Sequence, residues 1–282
     1  CLTNPFLGHE AEPLEKAGDP KKVMVIGGGV AGLSAAFIAK ERGHEVTLYE
    51  AGDVLGGNMR LAAYPPGKGD ITNMIRSYIH RCQKDGVKIV MNCEVTPELI
   101  KEEKPDSVII ATGSKTLILP IEGIDNPAII HGSDLLDGKR AAGKKVLVVG
   151  GGMVGCETAA FLGEQEHDVT VIEFRDTVGA DVIHEHRVYL MKDFEDYGIK
   201  EITGAKVCKF YEDGVEYETA DGVRHESRGY DSVILSMGFR NYNPLEEKIK
   251  DLVPETHVIG DAIRARRALD ATKEAYEVAS RI

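Results

Sequence analysis

A chain of 282 residues with 43% hydrophobic and 28% charged residues has the make-up of a folded globular protein, long enough for two domains with a core each. Its net charge of −12 and its 6% aromatic content, with no tryptophan, exclude a nucleic-acid surface, which needs a basic stripe to displace counterions from phosphates. Arg264, Arg266 and Arg267 form too short a cluster to change that.

The one run that imitates a targeting signal follows Lys21 and Lys22, VMVIGGGVAGLSAAFIA, but its three glycines read as a turn between strand and helix. No run supplies the about 20 apolar residues of a membrane span, so no membrane partner and a cytoplasmic location are expected. The five cysteines (Cys1, Cys82, Cys93, Cys156 and Cys208) form no C-x-x-C or C-x4-C pair, which suits reduced thiols. A chain that begins at Cys1 is expected to be part of something longer.

In chain order, residues 1–14 read as a linker. Lys21 to Glu50 then gives an apolar strand, a glycine turn, an amphipathic helix and a second strand ending in glutamate. Further strands are expected near 87–92 (VKIVMN) and 107–113 (SVIIATG). Pro120, Gly123, Pro127 and Gly132 break the chain. Lys144 to Glu173 repeats the first strand–turn–helix–strand unit, followed by KVCKFYE near 206–212, a hairpin partner VEYETADG, and SVILSMG near 232–238. A last short strand, THVIGDA, and a closing helix are too small to stand alone and must return to an earlier domain.

Each repeat carries a fingerprint. In Gly27-x-Gly29-x-x-Gly32 and Gly150-x-Gly152-x-x-Gly155, the first glycine makes the tight turn, the second lets a pyrophosphate approach, and the third lets helix and strand pack closely. The helix N-terminus offers free N–H groups and partial positive charge to the anion. Glu50 and Glu173 each follow their third glycine by 18 residues and are placed to accept hydrogen bonds from ribose hydroxyls. Glu173 favours NAD over NADP by repelling a 2′-phosphate, although Arg175 stands near enough to accept one. Gly57 and Asn58, Thr112 and Gly113, and Gly238 all suit the rim of a nucleotide site. Asp261 could hold a ribityl chain, or cap the last helix. Glu157 either nears a nicotinamide–flavin contact or complements the helix dipole. His131, His184 and His186 read as loop or surface residues, and no metal site is expected.

This order of motifs resembles the two-dinucleotide-binding flavoproteins, the pyridine nucleotide-disulfide oxidoreductase-like group, from Lys21 to the end. The resemblance implies an α/β protein of two Rossmann-like domains, the NAD domain (121–239) inserted in a discontinuous FAD or ADP domain (15–120 and 240–282). It maps FAD contacts onto Gly27, Gly29, Ala31, Gly32, Glu50, Gly57, Asn58, Val95, Thr112, Gly113, Gly260 and Asp261. NAD contacts map onto Gly150, Gly152, Val154, Gly155, Glu173 and Gly238. Cys1-x-x-Asn4-Pro5, followed by Gly8, His9 and Glu10, and the stretch GGNMRLAAYPPGKGD are similar to the C-terminal part of 2,4-dienoyl-CoA reductase, 2-enoate reductase and related NADH:flavin oxidoreductases of the old-yellow-enzyme type.

That resemblance implies hydride transfer from NADH to FAD. FMN and a [4Fe–4S] cluster are expected only in a missing N-terminal barrel region, the implied partner. The alternatives are a stand-alone NADH:acceptor oxidoreductase and a non-catalytic module that holds a nucleotide. No acid–base residue is assigned, because the cofactors carry the chemistry.

Overall fold

The structure is a computed structural model and describes residues 1–282. The chain forms two compact units, Cys1–Ala63 with Asp70–Lys115 and Arg240–Ile282, and Tyr64–Gly69 with Thr116–Phe239. Its path leaves the first unit briefly at Tyr64–Gly69, returns, and leaves again for Thr116–Phe239 before closing on the first unit.

The first unit begins β1 (Lys22–Ile26), α1 (Val30–Glu41), β2 (Glu45–Tyr49), α2 (Ile71–Lys84), β3 (Lys88–Val90), α3 (Pro97–Glu103) and β4 (Ser107–Ile110). The crossing strand β5 (Ser114–Thr116) leads to β6 (Ile129–His131), α4 (Gly132–Leu136), β7 (Lys145–Val149), α5 (Met153–Glu164), β8 (Asp168–Ile172), α6 (His184–Asp196) and β9 (Lys200–Ile202). Then come β10 (Lys206–Tyr211), β11 (Gly214–Glu218), β12 (Arg224–Ser227) and β13 (Ser232–Leu235). The return strand β14 (Phe239–Asn241) pairs with β5, and α7 (Glu246–Ile249), β15 (Glu255–Val258) and α8 (Ala268–Ala279) complete the first unit.

Both units carry a five-stranded parallel sheet, in the orders β15-β4-β1-β2-β3 and β6-β13-β7-β8-β9. The late THVIGDA segment thus joins the first unit's sheet, as β15 beside β4. The expected α/β pair of Rossmann-like folds is borne out.

Strand side chains alternate between faces, and that decides the layers. Val23 and Val25 join one core with α1, α2 and α8, while Met24 and Ile26 join another with Ile100 of α3 and Ile249 of α7. In the second unit Val146 and Val148 pack under α5 and α6. Leu147 and Val149 face Phe210 and Val215 of the antiparallel sheet β10-β11-β12, which covers that side where the first unit uses helices.

Helix α1 is buried on every side because α8 packs on it through the small residues Ala271, Ala275 and Ala279. Residues 1–14, expected as a linker, form no helix or strand, yet Leu2, Phe6 and Leu14 pack on the first core. The segment Tyr64–Gly69, expected within the first domain, falls with the second unit.

Candidate nucleotide-binding sites

In each unit the chain runs outward from a central strand to one side, then returns to pair on that strand's other flank. The gap this leaves at the carboxyl ends of the strands is where ligands bind in open parallel sheets. In the first unit the gap lies between β1 and β4, in the second between β7 and β13.

The glycine turns are forced by close approach. Gly27 has φ +110°, and a Cβ there would lie 2.3 Å from the carbonyl oxygen of Ala111; Gly150 has φ +105°, with the Ser236 oxygen 2.4 Å away. At Gly32 and Gly155 a Cβ would meet the Gly27 and Gly150 oxygens at 1.9 and 1.8 Å, so only glycine lets each helix sit this tightly on its strand.

Glu50 and Glu173 do more than await a ribose. Glu50 accepts hydrogen bonds from the Gly28 and Gly52 N–H groups, both at 2.7 Å. Glu173 accepts from the Gly151 and Arg175 N–H groups, at 2.6 and 2.9 Å. Each carboxylate therefore fastens the middle of its glycine turn to the loop after the second strand. Every carboxylate oxygen keeps a lone pair for a hydroxyl donor.

The rim of the first site gathers several expected residues. The Asn58 amide nitrogen donates to the carbonyl and hydroxyl oxygens of Ser114, both at 3.3 Å, and the Ser114 hydroxyl donates to Asp261 at 2.9 Å. Asp261 also accepts from the Arg266 N–H at 3.0 Å. It does not cap the last helix: α8 starts at Ala268, and its lead-in N–H, on Arg267, is taken by Asp270 at 3.2 Å. Gly113 accepts from Tyr242 N–H at 2.9 Å, and the Thr112 hydroxyl donates to the Tyr242 carbonyl. Ala31 lies beside Gly260, whose Cβ position is 3.0 Å from it. Val95 is buried among Tyr49, Ile100 and Ile110, so its backbone is what it can offer a ligand.

No side chain caps α1, and a Cβ built on Gly29 would meet open space. An uncapped helix N-terminus facing open space fits a phosphate group.

The second site opens into a cleft of about 310 Å³ lined by Gly150, Gly152, Val154, Glu173, Asp181 and Gly238. Phe174 and Arg175 also border a neighbouring hollow with Lys206 and Glu218. Helix α5 differs from α1 at its start, because the Met153 N–H donates to Asp181 at 2.9 Å. Burial pushes the thiol of Cys156, in the first turn of α5, up to about 12, outweighing the Gly179 backbone hydrogen bond that would lower it.

Glu157 is neither exposed nor merely complementing the helix. It is buried within the second unit, in an ion pair with Lys68 and 3.3 Å from Nε2 of His186. His184 and His186, expected in a loop or on the surface, lie on α6, His184 exposed and His186 partly so beside Glu157. Asp181, Ser114 and Lys68 escaped the reading of the sequence. Asp181 left a trace: it follows Glu173 by 8 residues, as Asn58 follows Glu50.

The sequence profile of the pyridine nucleotide-disulphide oxidoreductase family matches residues 21–259. The chain belongs to that family. It is an FAD-dependent NAD(P)H oxidoreductase module, and the resemblance to enoate-type reductases is borne out by individual relatives. Cinnamate reductase of Clostridium sporogenes is 34% identical over 286 residues, covering 100% of this chain and 42% of that protein. NADH oxidase of Thermoanaerobacter brockii is also 34% identical, over 100% of this chain and 44% of its own length. The structure of a 2-naphthoyl-CoA reductase in complex with 2-naphthoyl-CoA superimposes with a TM-score of 0.94 at 33% identity, covering 100% of this chain and 43% of that one. The chain spans less than half the length of these relatives. No helix is long and apolar enough to cross a membrane.

Proposed function

We propose that this module takes electrons from NADH for a larger enoate-type reductase, with FAD held in the first unit and NADH in the second. When bound, nicotinamide donates a hydride and flavin accepts it. The protein's own part is to hold both. Gly27, Gly29, Gly32, Glu50, Gly57, Asn58, Thr112, Gly113, Gly260 and Asp261 would cradle FAD. Gly150, Gly152, Val154, Gly155, Glu173 and Gly238 would cradle NADH. In domain terms, the first unit (about 15–120 and 240–282, less Tyr64–Gly69) would be the FAD domain and the second (about 121–239) the NAD domain. The observation that carries this reading is the twin cradle, two glycine turns each fastened by its own glutamate at a sheet's switch point.

The identity of the larger enzyme rests on its relatives, each more than twice the matched length. A preceding FMN barrel with a [4Fe–4S] cluster would be the partner that receives the electrons. Five cysteines without a disulfide suit a cytoplasmic setting.

The test is the purified chain. Its visible spectrum should show flavin that NADH bleaches, with NADPH slower because Glu173 opposes a 2′-phosphate. Glu173→Ala should narrow that gap by about 1–3 kcal/mol. It should reduce an artificial dye, contain essentially no iron and leave enoates untouched. Equal kcat/KM for NADH and NADPH would defeat the nucleotide assignment, and enoate reduction by the chain alone would defeat the electron-input reading. A colourless protein holding ADP would favour a non-catalytic module.

A further inference from the structure

The loop after β8 folds back over the second glycine turn. Gly179 N–H donates to the Gly151 carbonyl at 2.7 Å, and Val178 is fully buried against that turn. Arg187 pins the loop further, through the Thr177 hydroxyl at 2.9 Å and the Val178 carbonyl at 3.1 Å. This anchoring delivers Asp181 to the start of α5, where Oδ1 accepts from the Met153 N–H at 2.9 Å. A Cβ on Gly152 would meet the two carboxylate oxygens at 3.3 and 3.5 Å, so Asp181 fills the space that the second glycine otherwise keeps clear. That amide, on the first turn of a 12-residue helix, is one a dinucleotide pyrophosphate would need.

The first unit shows the same loop without the obstacle. Gly56 N–H donates to the Gly28 carbonyl at 2.8 Å, matching Gly179 and Gly151. Two residues later stands Asn58, where the second unit has Asp181. Asn58 is neutral and turns to Ser114, and the space at Gly29 is open. One cradle is open and the other is held by a negative charge.

We propose that Asp181 is an affinity-setting residue for the nicotinamide nucleotide. It occupies the pyrophosphate subsite when the nucleotide is absent and must swing out when it binds, which weakens binding and hastens release. This rests on reading the second unit as the NAD site. A carboxylate and a pyrophosphate repel one another and compete for the same donor. Because the loop is pinned at Thr177, Val178 and Gly179, and the buried Val182 donates its N–H back to the Gly179 carbonyl at 3.1 Å, the movement falls to the side chain.

The experiment is a titration of the chain with NADH, followed by nucleotide fluorescence, for the unaltered protein and for Asp181→Asn and Asp181→Ala. Asn keeps an acceptor for the helix N-terminus and drops the charge; Ala drops both. Kd for NADH should fall about tenfold in each, mostly through a slower off-rate. ADP-ribose, which carries the pyrophosphate, should show the same gain, adenosine none, and bound FAD should not change.

Unchanged or weaker NADH binding by a normally melting Asp181→Asn protein would overturn the proposal, as would an equal gain for adenosine. If Glu173→Ala weakens NADH binding while both Asp181 variants leave it unmoved, the NAD reading stands and the role of Asp181 alone falls. If no variant binds NADH, the NAD reading itself falls and takes the proposal with it.

Discussion

The two units repeat one cradle bond by bond and part company at its rim. Gly27 N–H donates to the Tyr49 carbonyl at 2.8 Å and Gly150 N–H to that of Ile172 at 2.9 Å; the returning strands close with Ala111 to Ile26 and Ser236 to Val149, both at 2.8 Å. Beyond this shared frame, Asn58 is matched by Asp181, and the fully buried Ser34 by the buried acid Glu157, each pair at the same offset from its glycines. The face under β7 is covered by an antiparallel sheet where the face under β1 is covered by helices. In the reading proposed above the frame holds a backbone close to a diphosphate, and its close contacts tolerate little change. The charge differences between the two copies collect at the rim.

The largest expected effect tests the shared frame. Gly27→Ala and Gly150→Ala each combine an unfavourable positive φ with a Cβ 2.3 or 2.4 Å from a carbonyl oxygen. Each should cost its own unit about 2–5 kcal/mol, read as a lower midpoint in urea or heat. If one alanine lowers the midpoint and the other does not, the two frames are not mechanically alike.

A smaller effect should separate the rims. Glu157→Ala strands Lys68 and His186, whose side chains are 20% and 33% exposed, so water softens the loss of the pair. The expected cost is about 1–3 kcal/mol, below that of a fully buried pair. Ser34→Ala, at the matching place in the first unit, should cost less than about 1 kcal/mol. Equal losses would mean that the carboxylate is not what distinguishes these positions.

Much of the frame was legible because it is written in residues with few alternatives. Glycines at fixed spacing, continuous apolar strands such as KVMVI and KVLVV, and a glutamate ending the second strand fit one fold. Short or polar elements were not legible. Strand β12 (RHES) has no apolar residue and is held to β11 by its ladder, the Arg224–Glu216 ion pair at 2.8 Å and His225 stacked on Tyr217, while the three-residue β6 follows a run of prolines and glycines. The histidines of α6 read as loop or surface residues because that helix has a largely exposed, polar surface. In the candidate site, the sequence singled out the glutamates, but not that their oxygens already bind the glycine turn. Asp181 needed the repeat to be followed 8 residues beyond Glu173, past the point where the two copies look alike.

The smallest expected effect concerns the cores, where the units should differ in degree and not in kind. Burial, with the Asp85 carboxylate adding to it, pushes the Cys82 thiol of the first unit up to about 12; burial does the same for Cys156 in the second. Burial, then Glu103, also raises Tyr49 of the first unit to about 12. All three are kept protonated by folding, whereas in the unfolded chain the thiols would titrate near 9.0 and the phenol near 10.0. Above those values the unfolded chain releases protons that the folded one retains, which draws the equilibrium toward unfolding. The stability they contribute is therefore whole at pH 8, declines above about 9, and is lost through about 12. Having Tyr49 as well as Cys82, the first unit should soften first as pH rises. Thermal melts from pH 7 to 11 would follow this, with Cys82→Ala flattening the slope for the first unit and Cys156→Ala for the second. At pH 8 a thiol-alkylating reagent should label the exposed Cys1 and reach Cys82 and Cys156 only in denaturant. Labelling of all three at one rate in the folded protein, or a midpoint that holds level to pH 11, would show that these cores do not protect their thiols.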